Sequence, residues 1–511
     1  MSNHAHAKLW AGHTFLQQAC YFLLSHAIRV AVRQGTRNET TLTTEDSSET
    51  RTLRWQDAAS LIVGIVVGAA IFKVPPFVFG NVSGPMTGLL VWLIGGLVAV
   101  CGALCYAELA TSLPKSGGDY VYLTRAYAPM VGFLFGWAHL TGILTGSIGS
   151  MAYIFAEYAN ALFEFSADKI VLTALVAVIG LTLLNIGGVV FGKTTQNVLT
   201  IAKILGLVGI AACGLIGGNG LFTAPEPLAD QSTNYGLAFV LILYAYGGWN
   251  DAAFVAAEVQ EPARNIPKAL LGGVGLVTLI YLLINAAYIN GLGWTGIQES
   301  SAPAADVLKP MFGATGHAVM CVLIMVSTLG ALNGLILTGS RVHASLGADH
   351  RLFAWLAWRP QDRRAPLASL VVQSVVSILL IVAVGTQVGR NIVDWCLVTL
   401  GWSSVSWEKF GGGFDALVAA TAPMFWGFFF LSGLAVIVLR FREPNLPRPF
   451  RAPLFPLLPL IFCGTSAYML YSSIAWAEEL SWLGAGPLFI GLPLYFLSQK
   501  LGSTQPSANG V

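Results

Sequence analysis

Two runs of small residues carry the chemistry that this sequence offers. Gly68-Ala69-Ala70 interrupts the apolar stretch LIVGIVVGAAIFKVP, and Gly247-Gly248 interrupts LAFVLILYAYGGWNDAAFVAAEV. In hydrocarbon every backbone N–H and C=O needs a partner, so a helix opens at mid-depth only where its freed groups face protein, water or a ligand. After Gly68 the freed groups are N–H donors at the start of a second half-helix, where the positive end of the helix dipole suits a carboxylate. At the other break the first half-helix ends on the carbonyls of Tyr244, Ala245 and Tyr246, a negative end that suits an ammonium group. A zwitterion, above all a free amino acid, answers both ends at once, because oriented dipoles replace the water that its charges lose. Glycine also serves close packing in membrane helices. Two clusters in matching places of two halves, the second with a polar exit at Asn250 and Asp251, favour the binding site.

Ionisable groups inside apolar stretches come next, since each costs about 2.5 to 3.5 kcal/mol on insertion scales and is by default functional. Lys203, in NVLTIAKILGLVGIA, lies too deep to reach the surface comfortably, and a purely snorkelling lysine is the alternative. Glu108 precedes the LPKSGGDY turn and reads as half of a structural ion pair rather than a proton relay. His139 reads as a hydrogen-bonded packing residue, while Asp251 and Glu258 follow the second break, where capping and closure are expected of them. These groups do not converge at one depth, as an enzyme within the membrane would need. No nucleotide-binding loop, zinc spacing or nucleophile with a base is present, so no catalytic residue, cofactor or metal is expected. Of seven cysteines, Cys101, Cys105, Cys213, Cys321 and Cys463 fall in apolar stretches and read as packing residues.

The elements that must position these groups are membrane helices. The chain has 511 residues, 55% hydrophobic and 10% charged, against roughly 25% charged in a soluble domain. Twelve spans are predicted, at 57–79, 86–112, 130–159, 169–190, 196–217, 235–257, 268–293, 315–340, 367–386, 415–440, 455–476 and 482–499. Lys and Arg crowd one set of span ends, from Arg54, Lys115 and Arg125 to Arg440, Arg442 and Arg451, while the other set holds Lys73, Lys169, Lys309, Arg390 and Lys409. That asymmetry predicts both termini in the cytoplasm. Residues 387–414 read as a long external loop with a short interfacial helix, and residues 1–50 as a flexible extension or a start assigned too far upstream.

In order and spacing, several segments resemble the amino acid, polyamine and organocation permeases, near the L-type and alanine-serine-cysteine amino acid transporters. They are GAAIF at 68–72, CYAELATSLPKSGGDYVYL at 105–123, YAYGGWN at 244–250, EVQEPARNIPKAL at 258–270, STLGALNGLILTGSR at 327–341 and LRFREPNLPRPFRAPLFP at 439–456. The resemblance covers about residues 52–500. It implies an all-α polytopic membrane protein with the five-plus-five inverted repeat of a bacterial leucine transporter, helices 1 and 6 broken, and two further C-terminal helices. The first repeat would occupy 51–217, the second 218–440, and the last two helices with a short tail 441–511.

By the same resemblance Gly68, Ala69 and Ala70 hold a substrate carboxylate, Val66, Tyr244 and Gly247 face the ammonium and the side-chain pocket, and Asn250 holds the second break open. Lys203, with Ser327 as partner, occupies the region where sodium-driven relatives bind their ion, which implies sodium independence. Two residues depart from the family: Ala69 stands where many relatives have a hydroxyl, and Ala70 adds a Cβ where glycine is usual. The implied function is secondary transport of amino acids by alternating access, proton-coupled or by exchange, in the plasma (inner) membrane with no partner subunit evident. An amino acid sensor or an organic cation or polyamine carrier on the same fold is the alternative. Tyr244, Tyr246, Trp249, Gly142 and Gly146 suggest a neutral side chain, because no acidic residue is placed to meet a cationic one.

Overall fold

The computed structural model describes residues 52–501 apart from 69, 167–168, 188, 217, 219–232, 301, 314, 359–365 and 411. The expectations for residues 1–50 and for Ala69 lie outside the described residues. Among the described residues, twelve helical stretches are long and apolar enough to cross a bilayer: Trp55–Lys73, Pro85–Ser112, Pro129–Phe163, Lys169–Ile186, Gly192–Ile216, Tyr235–Glu258, Pro262–Glu299, Thr315–Asp349, Leu367–Gly385, Gly413–Arg442, Leu457–Ala477 and Glu479–Lys500. They are numbered here as spans 1 to 12, and each matches one of the expected spans. Span 7, at 38 residues, overruns the membrane. It is two helices joined at Gly293, whose φ of +73° favours glycine, and the expected span ended at that residue.

Spans 1 and 6 are the broken ones. Span 1 consists of a helix Trp55–Val66 and, after the break, short helices Ala70–Lys73 and Pro75–Phe79. Span 6 consists of Tyr235–Ala245 followed by a 3₁₀ helix, Trp249–Glu258. The first half of span 1 packs on the second half of span 6, and the short helices after the first break pack on the first half of span 6. The two broken spans are therefore antiparallel. Their neighbours repeat the relation, with span 2 packed on span 7 and span 3 on span 8, which is the inverted five-plus-five arrangement. Spans 11 and 12 add to it by packing on span 10.

The segment between spans 9 and 10 contains the amphipathic helix Gln387–Thr399. Thr386 caps it by accepting a 3.0 Å hydrogen bond from Gly389 N. Asp394 then ties the returning chain down, accepting from Val405 N and Trp407 Nε1 at 2.9 Å each. Its Val393 and Leu397 are buried, whereas Val388, Ile392 and Trp395 are exposed.

Candidate functional site

The first break begins as a three-residue turn. Val67 has φ −75° and ψ 71°, and Gly68 N donates to Val66 O at 2.7 Å, the geometry of an inverse γ-turn. A helix stopped in this way leaves its last carbonyls without partners of their own. Val63 O accepts from Val67 N at 3.0 Å. Gly64 O accepts from Lys203 Nζ at 2.7 Å, Val66 O lies 2.9 Å from the Tyr281 hydroxyl, and Val67 O accepts from Ser327 Oγ at 2.9 Å. Lys203 and Ser327, expected to act together, come to the same broken end, each on its own carbonyl.

The second break turns on Gly248. Its φ is +101°, a region L side chains avoid, and a Cβ there would stand 2.8 Å from Ile65 Cγ2. Glycine thus provides both the turn and the close approach of spans 1 and 6. Just before it, Gly247 N donates to Tyr244 O at 3.1 Å. Ala245 O lies 2.9 Å from the Tyr281 hydroxyl, which also touches Val66 O. One side chain on span 7 therefore joins both breaks, and no local pattern marks it: a tyrosine in the apolar run YLLINAAY reads as packing.

Between the breaks lies a cavity of about 170 Å³ whose wall includes Val66, Gly68, Ala70, Tyr244, Ala245 and Gly247. Ile143, Leu144, Met151 and Ile154 of span 3, Leu335 of span 8 and Phe425 and Trp426 of span 10 make the rest largely apolar. Ser150 also lines it, and its Oγ is buried without a protein partner. A π turn in span 3, His139–Ile143, sets His139 on the wall, with its Nδ1 3.1 Å from His343 Nε2. Such turns recur at functional sites.

Not every expected residue reaches this cavity. Tyr246 turns away, donating its hydroxyl to Trp92 O at 3.2 Å and packing its ring on Trp92 and Tyr281. Trp249 is buried among Tyr106, Phe429 and Phe462. At Gly142 and Gly146 a Cβ would meet Met424 Cε at 2.6 Å and Thr421 Cγ2 at 2.5 Å, so both allow spans 3 and 10 to pack closely. Asn250 lines a smaller adjoining space, where its side chain bonds the Asp119 carboxylate.

Residues 53–498 match the family model described as amino acid permease. The chain belongs to the amino acid permease family. It is similar to the mouse (Mus musculus) b(0,+)-type amino acid transporter 1, with 30% identity over 86% of this chain and 85% of that protein. Similarity to the human (Homo sapiens) large neutral amino acids transporter small subunit 2 is 29%, over 86% of this chain and 79% of that one. The serine/threonine exchanger SteT of Bacillus subtilis is 28% identical over 89% of this chain and 99% of its own length. The protein is thus a permease and not an enzyme.

At the end where span 1 starts, ion pairs and hydrogen bonds tie the spans of the permease together. Arg341 of span 8, 2% exposed, pairs with Glu258 at the end of span 6 at 2.7 Å. Leu53 N donates to Glu258 O at 2.9 Å and Gln260 N to Leu53 O at 2.8 Å, so the chain entering span 1 lies along the chain leaving span 6. Asp57 holds Lys193 at 3.1 Å and Asn197 at 2.9 Å. Glu108 is the structural ion pair expected of it, accepting from Arg440 at 2.8 and 2.6 Å and from Ala452 N at 2.7 Å. At the opposite end the permease has a looser pair, Lys73–Glu157 at 3.4 Å, with both side chains part-exposed.

Proposed function

We propose that this permease is a secondary carrier of free amino acids that works by alternating access without sodium. The observation that carries the reading is the single cavity shared by Val66, Gly68, Ala70, Tyr244, Ala245 and Gly247. Donors beyond Gly68, with Ala69 and Ala70, would take the α-carboxylate, and the carbonyl ends of both first half-helices the α-ammonium. The relatives support the class of cargo, since all three are named as transporters or exchangers of amino acids. Lys203 supports sodium independence: its side-chain nitrogen already donates to Gly64 O at the broken end of span 1, the region where the resemblance puts an ion in sodium-driven relatives. The apolar wall supports neutral side chains as one class of cargo. The first repeat would run over 51–217 and the second over 218–440, with 441–511 appended. The excess of Lys and Arg at the Trp55 end supports cytoplasmic termini in a plasma (inner) membrane. The state described is then closed toward the cytoplasm.

The test is uptake into proteoliposomes of a panel of radiolabelled amino acids, with and without internal amino acid and an imposed proton gradient. Uptake that needs internal amino acid identifies exchange, and uptake that follows the gradient identifies proton symport. If folded protein moves nothing on the panel, the reading fails and a sensor or a polyamine carrier takes its place.

A further inference from the structure

The expectation of a neutral side chain rested on the lack of an acidic residue at the site, and the structure places one there. Asp251, three residues past Gly248, lies on the cavity wall and is 7% exposed. Among the described residues no donor or cation pairs with its carboxylate; the charged group acting on it is Asp119, another carboxylate. No lysine or arginine lines the cavity. Asp119 differs, since it takes hydrogen bonds from Tyr106 and Ser432 at 2.5 Å each and from Asn250.

Beyond Asp251 the cavity continues into a smaller space of about 20 Å³. The two share Asp251, His139, Ile143 and Phe425. Five phenylalanine rings, Phe135, Phe254, Phe425, Phe428 and Phe429, surround it together with both carboxylates. A space needs only about 10 to 15 Å³ to hold a group the size of a water molecule, so an ammonium head fits. Aromatic faces attract cations once these are desolvated, and a buried carboxylate is costly unless a partner reaches it. Of His139 and Asp251, which stand at the junction, His139 already has a ring partner in His343.

We infer that the permease accepts amino acids with an alkylammonium side chain, such as lysine and ornithine, whose head enters the small space and pairs with Asp251. The inference rests on the amino acid reading above. It makes Asp251 a specificity-determining residue, one turn beyond the break that holds the backbone end of the substrate.

The experiment compares lysine with norleucine, the same carbon chain without the amine, in reconstituted wild type and Asp251→Asn. Lysine is expected to half-saturate wild-type uptake at a concentration at least about tenfold lower than norleucine, and Asp251→Asn is expected to abolish that ratio. Preference for norleucine, or a lysine preference that survives Asp251→Asn, overturns the inference. A carboxylate neutralised by a proton instead would favour norleucine, so that outcome counts against it too. If the variant does not insert, the shift in melting of detergent-solubilised wild type decides: a larger shift with lysine than with norleucine supports the pairing, and the reverse overturns it. Uptake of neutral amino acids with lysine excluded leaves the carrier reading standing and removes this one. Transport of no amino acid removes both.

Discussion

The Lys203 ammonium lies 2.7 Å from the Gly64 carbonyl oxygen, within the last turn before the break in span 1. The lysine is wholly buried, at a depth where a charge costs a few kcal/mol. It replaces the backbone N–H that the break removes from that carbonyl. Lys203→Ala should leave the carbonyl bare, cost about 1.5 to 3 kcal/mol and lower uptake at least tenfold, about the rate change that 1.4 kcal/mol brings. Uptake and melting of the purified variant check this. Replacing sodium with choline should leave wild-type uptake unchanged, and stimulation by sodium would show that the lysine does not stand in for an ion.

Tyr281→Phe isolates the hydroxyl shared by the two breaks. The ring, which packs on Trp92 and Tyr246, stays, while Val66 O and Ala245 O lose their common donor. A buried acceptor left unsatisfied costs about 1 to 3 kcal/mol. The expected result is a lower melting temperature together with slower uptake. Wild-type behaviour in both would mean that the breaks hold without the bridge.

What the sequence shows, and what it hides, follows from the range of each signal. Span positions were legible because a bilayer demands about 20 apolar residues per crossing, and both breaks because small residues such as Gly68 and Gly248 punctuate such runs. Partners across the bundle were not legible. Tyr281 is 215 residues from Val66, and no local pattern marks it. Tyr246 fell on the wrong side because the chain rotates at the break, which no helical period anticipates. Asp251 escaped as a wall residue for the same reason, being placed by the 3₁₀ geometry after Gly248.

Arg341 and Glu258 test the closed end. Removing one partner of a buried pair leaves an uncompensated charge and is worse than removing both. Arg341→Gln should therefore raise amide exchange across Trp249–Glu258 at least about tenfold, as local opening becomes easier. Adding Glu258→Gln should recover part of that protection, a coupling that two independent sites would not show. Hydrogen exchange read by mass spectrometry distinguishes these outcomes, and equal exchange in single variant and wild type would mean that Leu53 and Gln260 hold the end shut without the pair.

Asp119 makes the stability of the permease sensitive to acid in an unusual direction. It lies between spans 2 and 3, and burial raises its carboxyl from 3.8 to about 6 despite hydrogen bonds from Ser432, Tyr106 and Asn250. A group whose pKa is higher in the folded state stabilises the fold when protonated. Its contribution is complete below the unfolded value of 3.8 and is lost as pH rises through about 6. Melting of the wild-type protein should fall across that window, against the trend of ordinary surface carboxylates, and Asp119→Asn should flatten the curve. The asparagine keeps an acceptor for Tyr106 and Ser432, so a lost slope with the fold retained would trace the effect to the proton itself. A wild-type curve that rises with pH across the window would mean that the three hydrogen bonds outweigh burial and that Asp119 is ionised in the folded permease.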